Sequence, residues 1–146
     1  METDDRGETL LELLIAVAIL GIAVVAIVGG IGVGVLMSDV HRKQATAGTA
    51  ARDFGEAIEH KVLAGGYVLC ASPSSYATPP GYTAPTGFTT SVTSVRYWSG
   101  TAWGSSCGAD SGLQQVNVRV ASTDGRASEQ LTVVVRRGCG LKDALC

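Results

Sequence analysis

Residues 13–37 read LLIAVAILGIAVVAIVGGIGVGVLM, twenty-five consecutive positions without one charged side chain. Wound as a helix, the run is about 38 Å long at roughly 1.5 Å per residue, more than the about 30 Å of a bilayer's hydrocarbon core. It is apolar on every side, so it must meet lipid or protein all round. A helix buried in a water-soluble domain is normally shorter, and the rest of a 146-residue chain is too small to surround this one. A cleaved secretory signal has an apolar core of about 7–15 residues, usually behind a basic start. Here the run is longer and the residues ahead of it are acidic. The small-residue sites Ala45-Thr46-Ala47 and Ala47-Gly48-Thr49 lie beyond His41-Arg42-Lys43, out of place for such cleavage. The run reads as a membrane-spanning helix.

The charges are arranged around it. Residues 1–12 hold Glu2, Asp4, Asp5, Glu8 and Glu12 against Arg6 alone, while residues 38–146 hold eight acids and ten bases. With 46% hydrophobic residues the chain has too much apolar surface for a disordered tail. A surplus of two positive charges over 109 residues is also not the clustered phosphate neutralisation of a dedicated nucleic-acid binder. Arg119, Arg126, Arg136 and Arg137 are the residues from which a DNA patch would be built; spread over such a head they read rather as a solvated face.

Inside the run, Gly29, Gly30, Gly32 and Gly34 put four glycines in six positions. Each costs an aqueous helix about 1 kcal/mol relative to alanine, and Gly30 and Gly34 have the small-xxx-small spacing that lets membrane helices approach closely. This segment is read as soft or closely packed. Glu12 stands just ahead of the run. A carboxylate carried into a bilayer costs several kcal/mol unless it is paired, and such residues tend to be functional.

The residues around Glu12 carry a resemblance. Arg6-Gly7-Glu8-Thr9-Leu10-Leu11-Glu12, running into Leu13-Leu14-Ile15-Ala16-Val17, closely resembles the amino-terminal signature of type IV prepilins and pseudopilins. The resemblance implies a leader over residues 1–7, cut after Gly7 by a prepilin peptidase, with Glu8 as the new and methylated amino terminus. Glu8 stands where the family usually has phenylalanine, and the leader is acidic where many are basic. Glu12 matches the family's glutamate, implying an assembly charge that faces the ammonium of a neighbouring subunit. The resemblance also implies a structural filament subunit rather than an enzyme, without cofactor or metal. Its partners would be copies of itself or related pilins, together with the pilus or secretion machinery of the cytoplasmic membrane. It covers about thirty residues. The alternative is an unprocessed single-pass anchor displaying a disulfide-stabilised binding domain.

Beyond the membrane run, Ala47, Ala50, Ala51, Phe54, Ile58 and Val62 recur at three- and four-residue steps, an amphipathic continuation of the helix that Gly65-Gly66 ends. Arg52 and Glu56 are spaced i, i+4 on its wet side. Residues 71–90 hold all four prolines and read as a surface loop, in which Tyr76 and Tyr82 are available to a partner or cover a sheet edge. Residues 91–98 form an uneven strand, because Val92 and Ser94 have the opposite parity to Val95 and Tyr97. Val116, Val118 and Val120 alternate cleanly, Asp124-Gly125 signals a tight turn, and residues 131–135 return as a strand. The organisation expected is leader 1–7, apolar helix 8–37, amphipathic continuation 38–66 and head 67–146. The fold class is α+β, a long helix packed on a small antiparallel sheet.

Cys70, Cys107, Cys139 and Cys146 form an even set that suggests two disulfides, with three pairings open and Cys70–Cys107 with Cys139–Cys146 preferred. No close ligand pair or adjacent histidine supports a zinc site, since His41 and His60 lie nineteen residues apart. Oxidised cysteines place the head outside the cytoplasm, against the weak opposite pull of Arg42 and Lys43. Gly104-Ser105-Ser106-Cys107-Gly108 matches a hydrolase nucleophile pattern, but lacks the following helix and a histidine within reach. No enzyme is read from these residues.

Overall fold

The computed structural model describes residues 8–108 and 110–138. A single helix, α1 (Glu8–Lys61), is followed by four strands, β1 (Phe88–Trp98), β2 (Trp103–Gly104), β3 (Leu113–Ser122) and β4 (Ser128–Arg136). The strands form one antiparallel sheet in the order β2-β1-β3-β4. The expected α+β class is what the chain adopts. It divides into two compact units, Met1–Asp39 and Val40–Cys146.

In the first unit α1 is regular helix straight through the glycine-rich segment. A methyl group added at Gly29, Gly30, Gly32 or Gly34 would meet nothing within 4 Å. These glycines therefore leave shallow, unoccupied stretches of helix surface.

In the second unit the small residues Ala47, Ala50 and Ala51 are buried on one side of α1 and pack with Val120, while Phe54, Ile58 and Val62 enter a larger core with Val92, Val95, Val116, Val118, Val133 and Val135. This is the stripe its spacing predicts, laid on one face of the sheet. Gly55 marks the closest approach: a Cβ there would lie 2.9 Å from Cγ2 of Val133 and 3.1 Å from Cδ2 of Leu131. The helix stops as its two glycines suggest. After Lys61 a wide turn, Val62–Gly66, carries Gly65 at φ 88°, and a Cβ on Gly66 would sit 2.7 Å from the Lys61 carbonyl oxygen.

The uneven parity of β1 has a definite cause. Val92 pairs with Val118 and Val95 with Val116, and the register shifts between Val92 and Ser94. A β-bulge at Thr93 absorbs one residue, so that both valines face the core although their spacing is odd. The strand also begins three residues earlier than its sequence suggests, at Phe88. The proline-rich loop is less superficial than its composition implies. Pro73–Tyr76 forms a short helical turn, and Tyr76, read as open to a partner or covering a sheet edge, is completely buried. Tyr82 packs its ring on Phe54 with centroids 4.8 Å apart. The short strand β2 went unseen in the sequence; it pairs Trp103 with Trp98 across a turn, their rings 5.3 Å apart.

Candidate functional site

Glu12 lies in the first turns of α1, with its side chain exposed. From Leu10 to Met37 every large hydrophobic residue is at least half exposed, from 50% at Val24 to 74% at Leu10. The helix is long and apolar enough to cross a membrane, and none of its most apolar stretch is buried by the rest of the chain. That much bare apolar surface is stable only in lipid or against other apolar helices. One acidic residue thus stands at the entry to a rod with no charge of its own for the next 25 positions. Glu8 opens α1 one turn earlier, and Gly7 lies outside the described residues.

In the head, the polar chemistry converges on Asp110. Its Oδ1 accepts hydrogen bonds from the Tyr67 hydroxyl at 2.7 Å and the Gly112 N–H at 2.9 Å. Its Oδ2 accepts from the Cys70 N–H at 3.0 Å and from Nε2 of Gln114 at 2.6 Å. Gln114 is fully buried; its Nε2 also donates to the Val68 carbonyl at 2.8 Å, and its Oε1 accepts from the Tyr76 hydroxyl at 2.9 Å. Burial alone would raise the Asp110 pKa, but the four hydrogen bonds outweigh it and hold the carboxyl below its ordinary value. Burial pushes the Tyr67 phenol well up, and its bond to the Asp110 carboxylate pushes further the same way. The cluster fastens the segment after α1 to β3.

The Cys70–Cys107 disulfide closes beside it, with Cα atoms 5.5 Å apart. Cys70 adopts φ 54°, rare for a residue with a side chain, and both its N–H and its sulfur are tied down. The preferred partner of Cys70 is therefore the observed one, whereas Cys139 and Cys146 lie outside the described residues. The disulfide also occupies the cysteine of the Gly104–Gly108 pattern, and among the described residues no helix follows it. Among the described residues no three His, Cys, Asp or Glu side chains gather as a metal site.

A contact that sequence reasoning missed ties α1 to the far hairpin turn. Lys43 Nζ donates to Oδ2 of Asp124, and Arg126 sits 3.7 Å from the same oxygen. The hydrogen bond from Lys43, with others from Ser122 and the Arg126 N–H, holds the Asp124 carboxyl low. The sequence offered only Asp124-Gly125 as a turn. The four arginines do not gather into one patch: Arg119 faces the outer side of the sheet and donates to the Ser128 hydroxyl at 2.9 Å, while Arg126 belongs to the turn.

A membrane-capable amino-terminal helix with an acidic entry, continuing into a disulfide-closed α+β head, defines a pilin-like α+β architecture. Within it, residues 3–28 match the family model described as the prokaryotic N-terminal methylation motif, which marks type IV prepilins and pseudopilins. The match contains Gly7, Glu8 and Glu12 and ends at Val28, ahead of the head. No curated protein and no solved structure matches the chain.

Proposed function

We propose that the chain is a prepilin-type structural subunit, cut after Gly7, held in the cytoplasmic membrane by α1 and assembled from there into a pilus-like or pseudopilus-like filament. The single observation that carries this reading is the methylation-motif match over residues 3–28, with Glu12 at the mouth of an exposed, charge-free helix. A prepilin peptidase makes the cut and the new Glu8 amino terminus is methylated. The head stands outside the cytoplasm, where the Cys70–Cys107 disulfide is stable.

Assembly then follows from electrostatics. Bundling α1 helices removes them from lipid and brings the ammonium at Glu8 of one subunit to the Glu12 carboxylate of another. A correctly docked copy neutralises both, whereas a copy docked one step away leaves a buried charge alone, at about 3–5 kcal/mol. That is roughly two to four orders of magnitude in docking equilibrium, enough to set register. The glycines between Gly29 and Gly34 give neighbouring helices room for close approach.

Replacing Glu12 by alanine tests the reading. Membrane insertion is expected to be unchanged and incorporation into filaments to fall at least a hundredfold, measured by fractionation of sheared filaments. Normal incorporation would remove the role of Glu12. Intact-mass measurement of the wild-type chain, with and without the peptidase, checks processing independently. A full-length chain in both cases would identify an unprocessed anchor instead.

A further inference from the structure

Residues 78–86 read TPPGYTAPT, a stretch of the head that the assembly motif does not use. Its three prolines fix their own φ and push the residues ahead of them toward extended backbone, so the segment holds no helix or strand. It is nonetheless pinned. Pro79 is buried, the Tyr82 ring packs on Phe54 with centroids 4.8 Å apart, and the Pro85 carbonyl accepts from the Phe88 N–H at 3.0 Å. Thr78, Thr83 and Thr86 are exposed, and among the described residues none of their hydroxyls enters a hydrogen bond.

Thr83 is favoured among the three by what lies beside it. With Asp53, Glu56, His60, Pro80 and Tyr82 it lines a hollow of about 480 Å³ between this segment and α1. That volume falls within the roughly 300–1,000 Å³ of small-molecule sites. Asp53, Glu56 and His60 stand at i, i+3 and i+7, on one face of the helix. All three are exposed, and among the described residues neither carboxylate is hydrogen-bonded or ion-paired. The hollow therefore has two kinds of wall, carboxylate acceptors along the helix and the rings of proline and tyrosine along the loop. A sugar ring matches both, because its hydroxyls donate to carboxylates and its C–H faces lie on apolar rings. A phosphate group does not, since its charge would stand against Asp53 and Glu56.

We propose that Thr83 is a modification site and carries a neutral O-linked sugar that lies in this hollow. Threonine among prolines is the composition of O-glycosylated stalks, and here the hydroxyl is presented on pinned, extended backbone open to a transferase. In the transfer, Thr83 Oγ1 bonds to the anomeric carbon of the sugar. The bond from that carbon to the donor's phosphate oxygen breaks, the phosphate-bearing carrier leaves, and the hydroxyl proton passes to a base of the transferase. The donor is a sugar linked to a lipid phosphate, and the transferase is a separate membrane enzyme. That choice of donor rests on the prepilin-type reading, which puts the head outside the cytoplasm. The linked sugar caps the two carboxylates and gives that flank of the head a hydrated surface.

Intact-mass measurement of the full chain, purified from the cells that make it naturally, tests this. After allowance for leader cleavage and methylation, the wild type is expected to exceed its sequence mass by whole neutral sugar residues that alkaline β-elimination releases. Thr83→Ala is expected to lower the modified fraction at least tenfold, whereas Thr83→Ser, Thr78→Ala and Thr86→Ala keep it. A wild-type chain with no added mass overturns the proposal, as does an addition that survives in Thr83→Ala or one with the mass of a phosphate. Amide hydrogen exchange reads the place of the sugar. Residues 81–84 are expected to exchange at least tenfold more slowly in the modified chain than in unmodified chain from a host without the transferase. Equal rates would leave the sugar in solvent and overturn its seat in the hollow. A chain cut after Gly7 yet unmodified counts against the sugar alone, and a modified but uncut chain counts against the prepilin-type reading alone.

Discussion

At the scale of single residues, Asp110 ties the segment after α1 to the start of β3. Four donors converge on its carboxylate, from Tyr67, Cys70, Gly112 and Gln114. Asp110→Ala would leave them without an acceptor in a partly buried setting, and is expected to lower head stability by about 2–4 kcal/mol, read from denaturant unfolding followed by tryptophan fluorescence. The same residue sets an acid limit. Its folded pKa is depressed, so the unfolded chain binds the extra proton and stability is lost as pH falls from about 4 through the folded value. Asp124, also held low, adds to that flank. Tyr67 is shifted upward, so the stability it contributes is complete below about pH 10 and is lost as pH rises beyond it. Unfolding midpoints measured across pH should fall at both ends, and Asp110→Asn should flatten the acid one. None of this was legible beforehand: Tyr67 and Asp110 are 43 positions apart.

At the scale of elements, the meeting of α1 with the sheet depends on a missing side chain. Alanine at Gly55 would gain about 1 kcal/mol of helix propensity but place its methyl 2.9 Å from Val133. A valine has no propensity gain of that size and a branched Cβ in the same gap. Gly55→Val is therefore expected to destabilise the head by about 1–3 kcal/mol through overpacking, measurable in the same unfolding experiment. The stripe Ala47-Ala50-Ala51-Phe54-Ile58-Val62 was readable because helical periodicity is local; that Gly55 is part of the contact was not, since Val133 arrives from 78 residues further along. Strand β1 teaches the same lesson from the other side. Its broken alternation looked like a weak strand, and it is a strand with a bulge.

For the whole molecule, the Cys70–Cys107 bond spans 37 residues and joins the segment after α1 to the turn ahead of β3. Closing a loop of that size restricts the unfolded chain by roughly 4 kcal/mol. Cys70→Ser with Cys107→Ser is expected to lower head stability by about 2–4 kcal/mol while leaving α1 in the membrane, checked by unfolding and by membrane fractionation. If the double variant unfolds at the wild-type midpoint, the Asp110 cluster alone suffices to fasten that segment.

What the sequence by itself determined lies in patterns of short range. A 25-residue charge-free run, a glycine and a glutamate five positions apart ahead of it, an apolar stripe and a clean valine alternation together decide a membrane-capable helix, a prepilin-type start and an α+β head. These follow from helix rise, strand pleat and the cost of charge in lipid, which act on neighbours in the chain. Tertiary structure alone decided which cysteine partner is used, where the bulge falls, how Asp110 is satisfied and that Lys43 reaches Asp124. Each of those depends on residues tens of positions apart being brought within a few ångströms, and burial of the shared core is what brings them there.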